Sequence, residues 1–322
     1  MPNSSTPAPA ARAGQEHFVA VLEDTPIAAV DKVDESQKAR STWTEAWNYM
    51  RRRPMFWVAL GLIVLIIVVA VAPGLFTSVS PNTQCFLSNS LAGPAAGHPF
   101  GFTKQGCDIF ARTIYGTQSS LTVGLLATII VTLFGGIIGA LAGFYGGILD
   151  SVVSRLGDIF FAIPTVLGAI VLMSVLPVRN PATVALVLAF FAWPQVARIM
   201  RGSVLAARSS DYVSASVALG VSRFRILIRH VLPNSIAPVI VLATVLLGTM
   251  IVAEATLSFL GIGLPPSVMS WGNDIGQARS SVRTDPQVLL YPSVALSLTV
   301  LSFLMLGDVV RDALDPKARA RR

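Results

Sequence analysis

The side chains that usually carry out chemistry are few in this 322-residue chain, and they stand apart. The three histidines, His17, His98 and His230, are scattered among segments too polar to be core, and no H-E-x-x-H joins any of them to a glutamate. Two cysteines, Cys85 and Cys107, are too few for the usual four-ligand zinc site. No G-x-x-x-x-G-K-[ST] is present to cradle a nucleotide phosphate. Gly135, Gly139 and Gly143 in "FGGIIGALAGFYGG" fall four apart inside an apolar run, the small-residue spacing of close helix packing in lipid rather than a dinucleotide loop. An intramembrane hydrolase needs a nucleophile beside a base, or a pair of carboxylates, at membrane depth. Neither occurs, so the chain reads as a non-catalytic protein. Glu254 is the one carboxylate inside an apolar run, "MIVAEATLSFLGIG", and it lies toward the end of that run. It has two readings, a pathway-facing carboxylate or an acid that caps the short segment after it.

The elements that hold these residues follow from composition. Hydrophobic residues make up 53% of the chain and charged residues 13%, about half the charge of an ordinary soluble domain, which carries about 25%. Such a chain cannot cover itself with polar surface, and much of it must face lipid. The net charge of +7 does not point to nucleic acid, because the basic residues gather at the ends of apolar runs. A helix needs about 20 apolar residues to cross the hydrocarbon core. Six runs approach this: Met55–Phe76, Leu121–Phe144, Ile159–Leu176, Thr183–Ile199, Ile236–Ser258 and Leu289–Leu306. The expected fold is an all-α integral membrane protein of about six transmembrane helices. Pro164 and Pro194 fall inside two of the runs and should kink them.

Basic residues orient such helices toward the cytoplasm. Arg51, Arg52 and Arg53 precede the first run, which places both termini inside. Alternation then puts Arg201, Arg208, Arg223, Arg225 and Arg229 in one inner loop, and Arg311, Lys317, Arg319, Arg321 and Arg322 at the inner C-terminal end. The outer loops keep only Lys104, Arg112, Arg179, Arg279 and Arg283. Asp158 and Arg155 lie at the inner mouth of the third run, as anchors or as partners of other charges. Cys85 and Cys107 both fall in the first outer loop, where a disulfide persists, and a bond between them is expected.

Residues 1–40, rich in Ala, Pro, Ser and acids, read as a disordered cytoplasmic tail. No apolar core follows a basic start closely enough for a signal peptide. Residues 41–76 should hold a short helix and the first span. In "TWTEAWNYMRRRP", Thr42 and Glu45 are spaced as a capping box, while Trp43, Trp47 and Met50 share a face suited to the headgroup layer. The other reading is an N-terminal extension of the first span. Residues 77–118 form an extracytoplasmic loop, 119–310 the transmembrane core and 311–322 a basic tail.

One polar stretch stands out, "DYVSASVALGVSRFRILIRHVLPNS", residues 211–235. Asp211–Leu219 reads as a short helix that Gly220 ends. A second helix follows, with an apolar stripe of Phe224, Leu227, Ile228, Val231 and Leu232. Arg225 and Arg229 lie off that stripe, and Pro233 marks the break before the fifth span. Each arm is too short to cross a membrane. The pair should rest on the ends of the spans and offer a polar knuckle around residues 215–222 to the cytoplasm.

This stretch resembles the EAA loop of permease subunits from binding-protein-dependent ABC importers. Ser214, Ala215 and Ser216 stand at the Glu-Ala-Ala triplet, Gly220 follows after three residues, and Leu232–Pro233 stands at the Leu-Pro. Ser214 replaces the glutamate, so docking there leans more on shape and backbone than on charge. "HPFGFTKQGCDIFARTIYGTQSSLTVGL", "LDSVVSRLGDIFFAIPTVLGAIV", "SFLGIGLPPSVMSWGNDI" and "LGDVVRDALDP" are similar to segments of the C-type permease of dipeptide, oligopeptide and nickel importers. The resemblance runs from about Thr42 to Pro316.

It implies the type I importer permease fold, in the bacterial cell membrane, with loop 208–235 coupling to an ATPase through Asp211, Tyr212, Ser214, Ala215, Ser216, Gly220, Arg225 and Pro233. It implies a second homologous permease, two ATP-binding subunits that hold ATP and Mg, and an extracytoplasmic peptide-binding protein, with no cofactor bound by this chain. Glu254 and Trp271 are the candidates for a pathway or outer gate, and residues 265–274 with Trp271 would meet the binding protein. The competing class is a secondary transporter driven by an ion gradient. It would want a membrane-buried carboxylate, which only Glu254 supplies, and would need no docking knuckle.

Overall fold

A computed structural model describes residues 42–314 of the chain. The expectations for the N-terminal tail, for the Thr42 side chain of the capping box and for residues 315–322 lie outside the described residues. A short helix, α1 (Thr42–Met50), buries Ala46 and leaves Trp43 and Trp47 half exposed. Arg51–Arg53 interrupt it before α2 (Pro54–Val71), which begins on a proline. Trp47 meets Phe56 edge to face at 5.7 Å across this break.

Four further helices are long and apolar enough to cross a membrane together with α2, and a bent pair makes a sixth span. They are α3 (Ile109–Tyr145), α6 (Pro181–Arg208), α10 (Ala237–Phe259) and α12 (Gln287–Leu314). The 37 residues of α3 reach about 55 Å at 1.5 Å per residue, well beyond a hydrocarbon core of about 30 Å. It starts a dozen residues before the expected Leu121, because Asp108 caps it by accepting a hydrogen bond from the Ala111 N–H. Its early turns bury Arg112, Thr113, Thr117 and Ser120, so hydropathy gives no sign of them.

The third span differs most from expectation. Helix α4 (Gly147–Ala162) ends at Ile163, and α5 (Thr165–Val175) leaves at 85° to it. Proline drives its predecessor out of the helical region, and Ile163 is extended, with φ −97° and ψ 115°. The 11 residues of α5 reach only about 17 Å, too short to span alone.

The core is organised on the seam between α3 and α6. A Cβ on Gly135 would lie 2.6 Å from the Trp193 carbonyl oxygen, and one on Gly143 2.8 Å from that of Arg201. A Cβ on Gly139 would overlap the backbone of Ala197. The glycine spacing therefore lets two backbones touch, and Val131, Ala140, Val184, Leu188, Val196 and Val204 fill the cluster around the seam. On the far side, α10 packs on α3 and α12, and α2 packs on α12.

The first loop is folded. Cys85 and Cys107 are bonded, with an S–S distance of 2.05 Å. Gly106 has φ +73°, and a side chain there would run into the backbone of Phe86 beside the disulfide. His98 Nδ1 lies 2.6 Å from Asp108 Oδ2, and Phe100 stacks on Tyr291 with ring centroids 3.7 Å apart. The loop is thereby tied to the starts of α3 and α12.

Candidate functional site

Helix α7 (Asp211–Ala218) follows α6 after a two-residue turn. Its C-terminal end is closed by a Schellman arrangement. The Val221 N–H donates to the Ser216 carbonyl at 3.1 Å and the Gly220 N–H to the Val217 carbonyl at 3.0 Å. Gly220 takes φ +75°, and nothing lies within 4 Å of a Cβ built on it. Glycine is therefore needed for conformation and not for space.

Val213 is the one buried residue of α7 and anchors it to the main core. Asp211, Tyr212, Ser214, Ala215 and Gly220 are exposed, and Ser216 is half-buried with its hydroxyl donating to the Tyr212 carbonyl at 2.7 Å. Sequence reasoning missed the apolar character of the tip, where Val217 is 59% and Leu219 83% exposed. Two exposed aliphatics on a helix held by one buried residue form a small protruding surface suited to a socket in another protein.

The return arm departs from the expected stripe. It consists of α8 (Arg223–Ile226), a π turn at Leu227–Val231 and α9 (Leu232–Ser235). Ile226, Leu227 and Val231 are buried, whereas Phe224 is 65% and Ile228 48% exposed. The π turn inserts extra arc and rotates the buried face away from the ideal stripe. Pro233 sits in the first turn of α9 instead of marking the break, which falls at Ile236. Proline has no N–H to donate at this position, just past the π turn. Arg225 is exposed, and among the described residues it makes no ion pair.

At the opposite end of α10 a polar cluster is sealed inside the protein. Helix α11 (Trp271–Ala278) nests on α10, where a Cβ on Gly272 would lie 2.6 Å from the Ala255 Cα. The Trp271 indole N–H donates to the Thr113 carbonyl at 3.0 Å, and its backbone N–H to Ser120 Oγ at 3.3 Å. The Ser258 hydroxyl donates to Glu254 Oε1 at 2.8 Å and accepts from the Leu264 N–H at 3.1 Å. Arg112 Nε donates to Asp274 Oδ1 at 2.9 Å, and Arg112 Nη1 to Asn82 Oδ1 at 3.2 Å. Burial pushes the Asp274 carboxyl above its ordinary value, and the Arg112 guanidinium opposes the shift.

Of the two readings of Glu254, its surroundings match the acid that holds the segment after its helix, and Trp271 is enclosed as well. Glu254 and Trp271 are 0% and 1% exposed and border none of the larger cavities. Glu254 holds the segment after α10 through Ser258, and Trp271 fills the space between α11 and α3. Neither is placed to gate a pathway in this conformation, and Trp271 is too deep to meet a docking protein. The Arg112–Asp274 pair was not foreseen, since 162 residues separate the partners.

A second polar region lies between α4 and α6. Arg201 donates to both carboxylate oxygens of Asp150, one of them at 2.7 Å. Arg198 donates to Asp158 Oδ1 at 3.1 Å and stacks over the Phe161 ring at 4.0 Å. Arg155 stands 4.0 Å from the same carboxylate.

Comparison with known proteins agrees with this architecture. Residues 135–320 match the family model described as binding-protein-dependent transport system inner membrane component. Residues 41–94 match the N-terminal TM domain of oligopeptide transport permease C. The chain is 37% identical over 89% of its length, and 94% of the relative, to the dipeptide transport system permease protein DppC of Alkalihalophilus pseudofirmus. It is 36% identical over 93% of its length, and 97% of the relative, to the glutathione transport system permease protein GsiD of Escherichia coli O157:H7. Among solved structures, an inward-facing form of the MetNI methionine ABC transporter matches 63% of this chain and 96% of the other, with a TM-score of 0.50 and 20% identity. That likeness shows the shared fold.

Proposed function

This chain belongs to the family of binding-protein-dependent transport system inner membrane components, and from that premise we propose how the subunit works. It is a multi-pass permease subunit of an ABC importer. In our reading its cargo is a di- or oligopeptide, as the names of its dipeptide and glutathione relatives suggest. Residues 119–310 form the transport core, and loop 208–235 receives mechanical work from an ATP-binding subunit. Both termini and the loop face the cytoplasm, because the arginine-rich segments belong on that side.

The observation that carries the reading is the exposed α7, closed by Gly220 and tipped by Val217 and Leu219. A partner that closes on ATP and grips this knuckle pushes α6 at one side and the π-turn arm at the other, since α7 lies directly between them. The force then reaches the α3–α6 seam. Ser214, in place of an acid, gives the grip a neutral edge, with apolar contact at the tip. A second homologous permease, two ATP-binding subunits that hold ATP and Mg, and an external binding protein complete the machine.

Affinity purification of the tagged chain from its own membrane tests the assembly, with expected recovery of two ATP-binding subunits and a second permease. Uptake of labelled di- to pentapeptides by cells lacking the chain, and by cells in which it is restored, tests the cargo. Isolation of the chain without any ATPase would refute the coupling. Restored cells that take up no more peptide than deficient cells would refute the cargo.

A further inference from the structure

A cavity of about 410 Å3 lies between the α4–α5 break, α6 and α10, within the roughly 300–1,000 Å3 of small-molecule sites. Pro164 borders it at the α4–α5 break, and Pro194 borders it from inside α6, where it removes one backbone donor. Phe161 and Phe191 give it an aromatic wall, and Gln195, Thr165 and Thr249 add neutral polar groups. Gln195 is exposed, and among the described residues its amide makes no hydrogen bond. An unpaired primary amide is costly in hydrocarbon, so this face belongs to water, to a solute or to a polar partner, and not to lipid tails.

A larger groove of about 740 Å3 along α3, α10 and α12 shows the contrast. Leu133, Ile137, Ile240 and Leu247 line it, and its only polar side chains are threonines. That groove suits acyl chains. The Gln195 cavity does not.

Toward the α7 end of α6 a further cavity, of about 260 Å3, shares Phe161 and Pro194 with the first. Asp158 and Arg198 line it. They face each other at 3.1 Å, and both side chains are more than half exposed. Such a pair is held weakly and exchanges partners readily with another zwitterion.

We propose that these adjoining cavities are this chain's wall of the solute pathway, with Gln195 as the hydrogen-bonding contact for amide groups of the solute and the Asp158–Arg198 pair as the station that receives its charged ends. The proposal rests on the permease reading above. A carboxamide both donates and accepts, which matches the amide groups of a peptide. The aromatic wall carries no fixed charge, so the first chamber accepts side chains of either sign. A solute moving toward α7 then meets one carboxylate and one guanidinium, the complements of an ammonium and a carboxylate terminus.

The cysteines make the test clean, since Cys85 and Cys107 are bonded to each other, an introduced thiol is the only free one in this chain, and its labelling is read on this chain's band after the subunits are separated. Single variants Gln195→Cys, Thr249→Cys and Thr165→Cys are placed in the complete complex, purified with its ATP-binding subunits in lipid nanodiscs. Ala243→Cys, in the apolar groove, is the control. A charged methanethiosulfonate should modify the cavity thiols at least tenfold faster than Ala243→Cys. Cavity thiols that react no faster than Ala243→Cys overturn the proposal, whichever of the three variants assemble. Modified Gln195→Cys should also lower uptake of labelled alanyl-alanine at least fivefold in cells. If the unmodified complex does not take up alanyl-alanine, the peptide reading fails while the labelling rates still decide whether this is the pathway wall.

Discussion

Arg112 in the first turn of α3 donates to Asp274 in α11 at 2.9 Å, across 162 residues of sequence and with both side chains buried. The pair fastens the segment between α10 and α12 to α3 and, through the further bond from Arg112 to Asn82, to the stretch just ahead of Cys85.

Removing one member of this pair leaves a buried charge alone, a change that typically costs about 3–5 kcal/mol. Asp274→Leu and Arg112→Met should each lower the thermal unfolding midpoint in detergent by several degrees. The double variant should recover much of the loss, because no unpaired charge then remains. A double variant that unfolds at the temperature of the worse single variant contradicts this account.

The α3–α6 seam makes a sharper steric prediction. Gly139→Val must push the helices apart, since even a Cβ there overlaps Ala197, and overpacking of this kind costs about 1–3 kcal/mol or more. Gly136→Ala, one helical turn away, meets nothing within 4 Å and should behave as the parent. Monodisperse yield on size-exclusion chromatography separates the two variants.

The Cys85–Cys107 bond closes a loop with a sequence separation of 22, worth roughly 3 kcal/mol in the chain-entropy model. Thiol titration of the denatured, unreduced protein should find no free thiol. Cys85→Ser with Cys107→Ser should expose the first loop to limited proteolysis while the spans stay protected.

Glu254 separates ATP-driven from ion-driven transport. Its carboxyl group is hydrogen-bonded to Ser258 inside the protein, and Glu254→Gln keeps that shape while removing the ionisable group. Uptake should stay at half the parental rate or better and should persist when the proton gradient is collapsed with ATP maintained. Loss of uptake in Glu254→Gln with normal assembly would favour ion coupling.

The number of spans was legible because each is a run of about 20 apolar residues, a length set by the bilayer. What hydropathy does not encode is direction. Pro164 signals a kink, yet the 85° turn depends on how α4 and α5 pack. The early start of α3 was hidden because the helix buries polar groups there. At the knuckle, Gly220 announced the end of α7 through its backbone requirement. The stripe after it was misplaced because a π turn leaves no mark in the spacing of apolar residues. Glu254 kept two readings and Trp271 stayed a pathway candidate because depth along a helix can be read from sequence, while the side a residue faces cannot.

The central claim is that work enters through the bend that Gly220 makes. With φ +75° and open space around it, Gly220→Ala incurs only the left-handed strain of about 1–2 kcal/mol. Gly220→Pro cannot hold this bend, because proline fixes φ near −65°. The decisive measurement is the ratio of peptide uptake to ATP hydrolysis in the assembled Gly220→Pro complex. Uptake should fall at least tenfold while hydrolysis stays within twofold of the parent, and an unchanged ratio would contradict the claim.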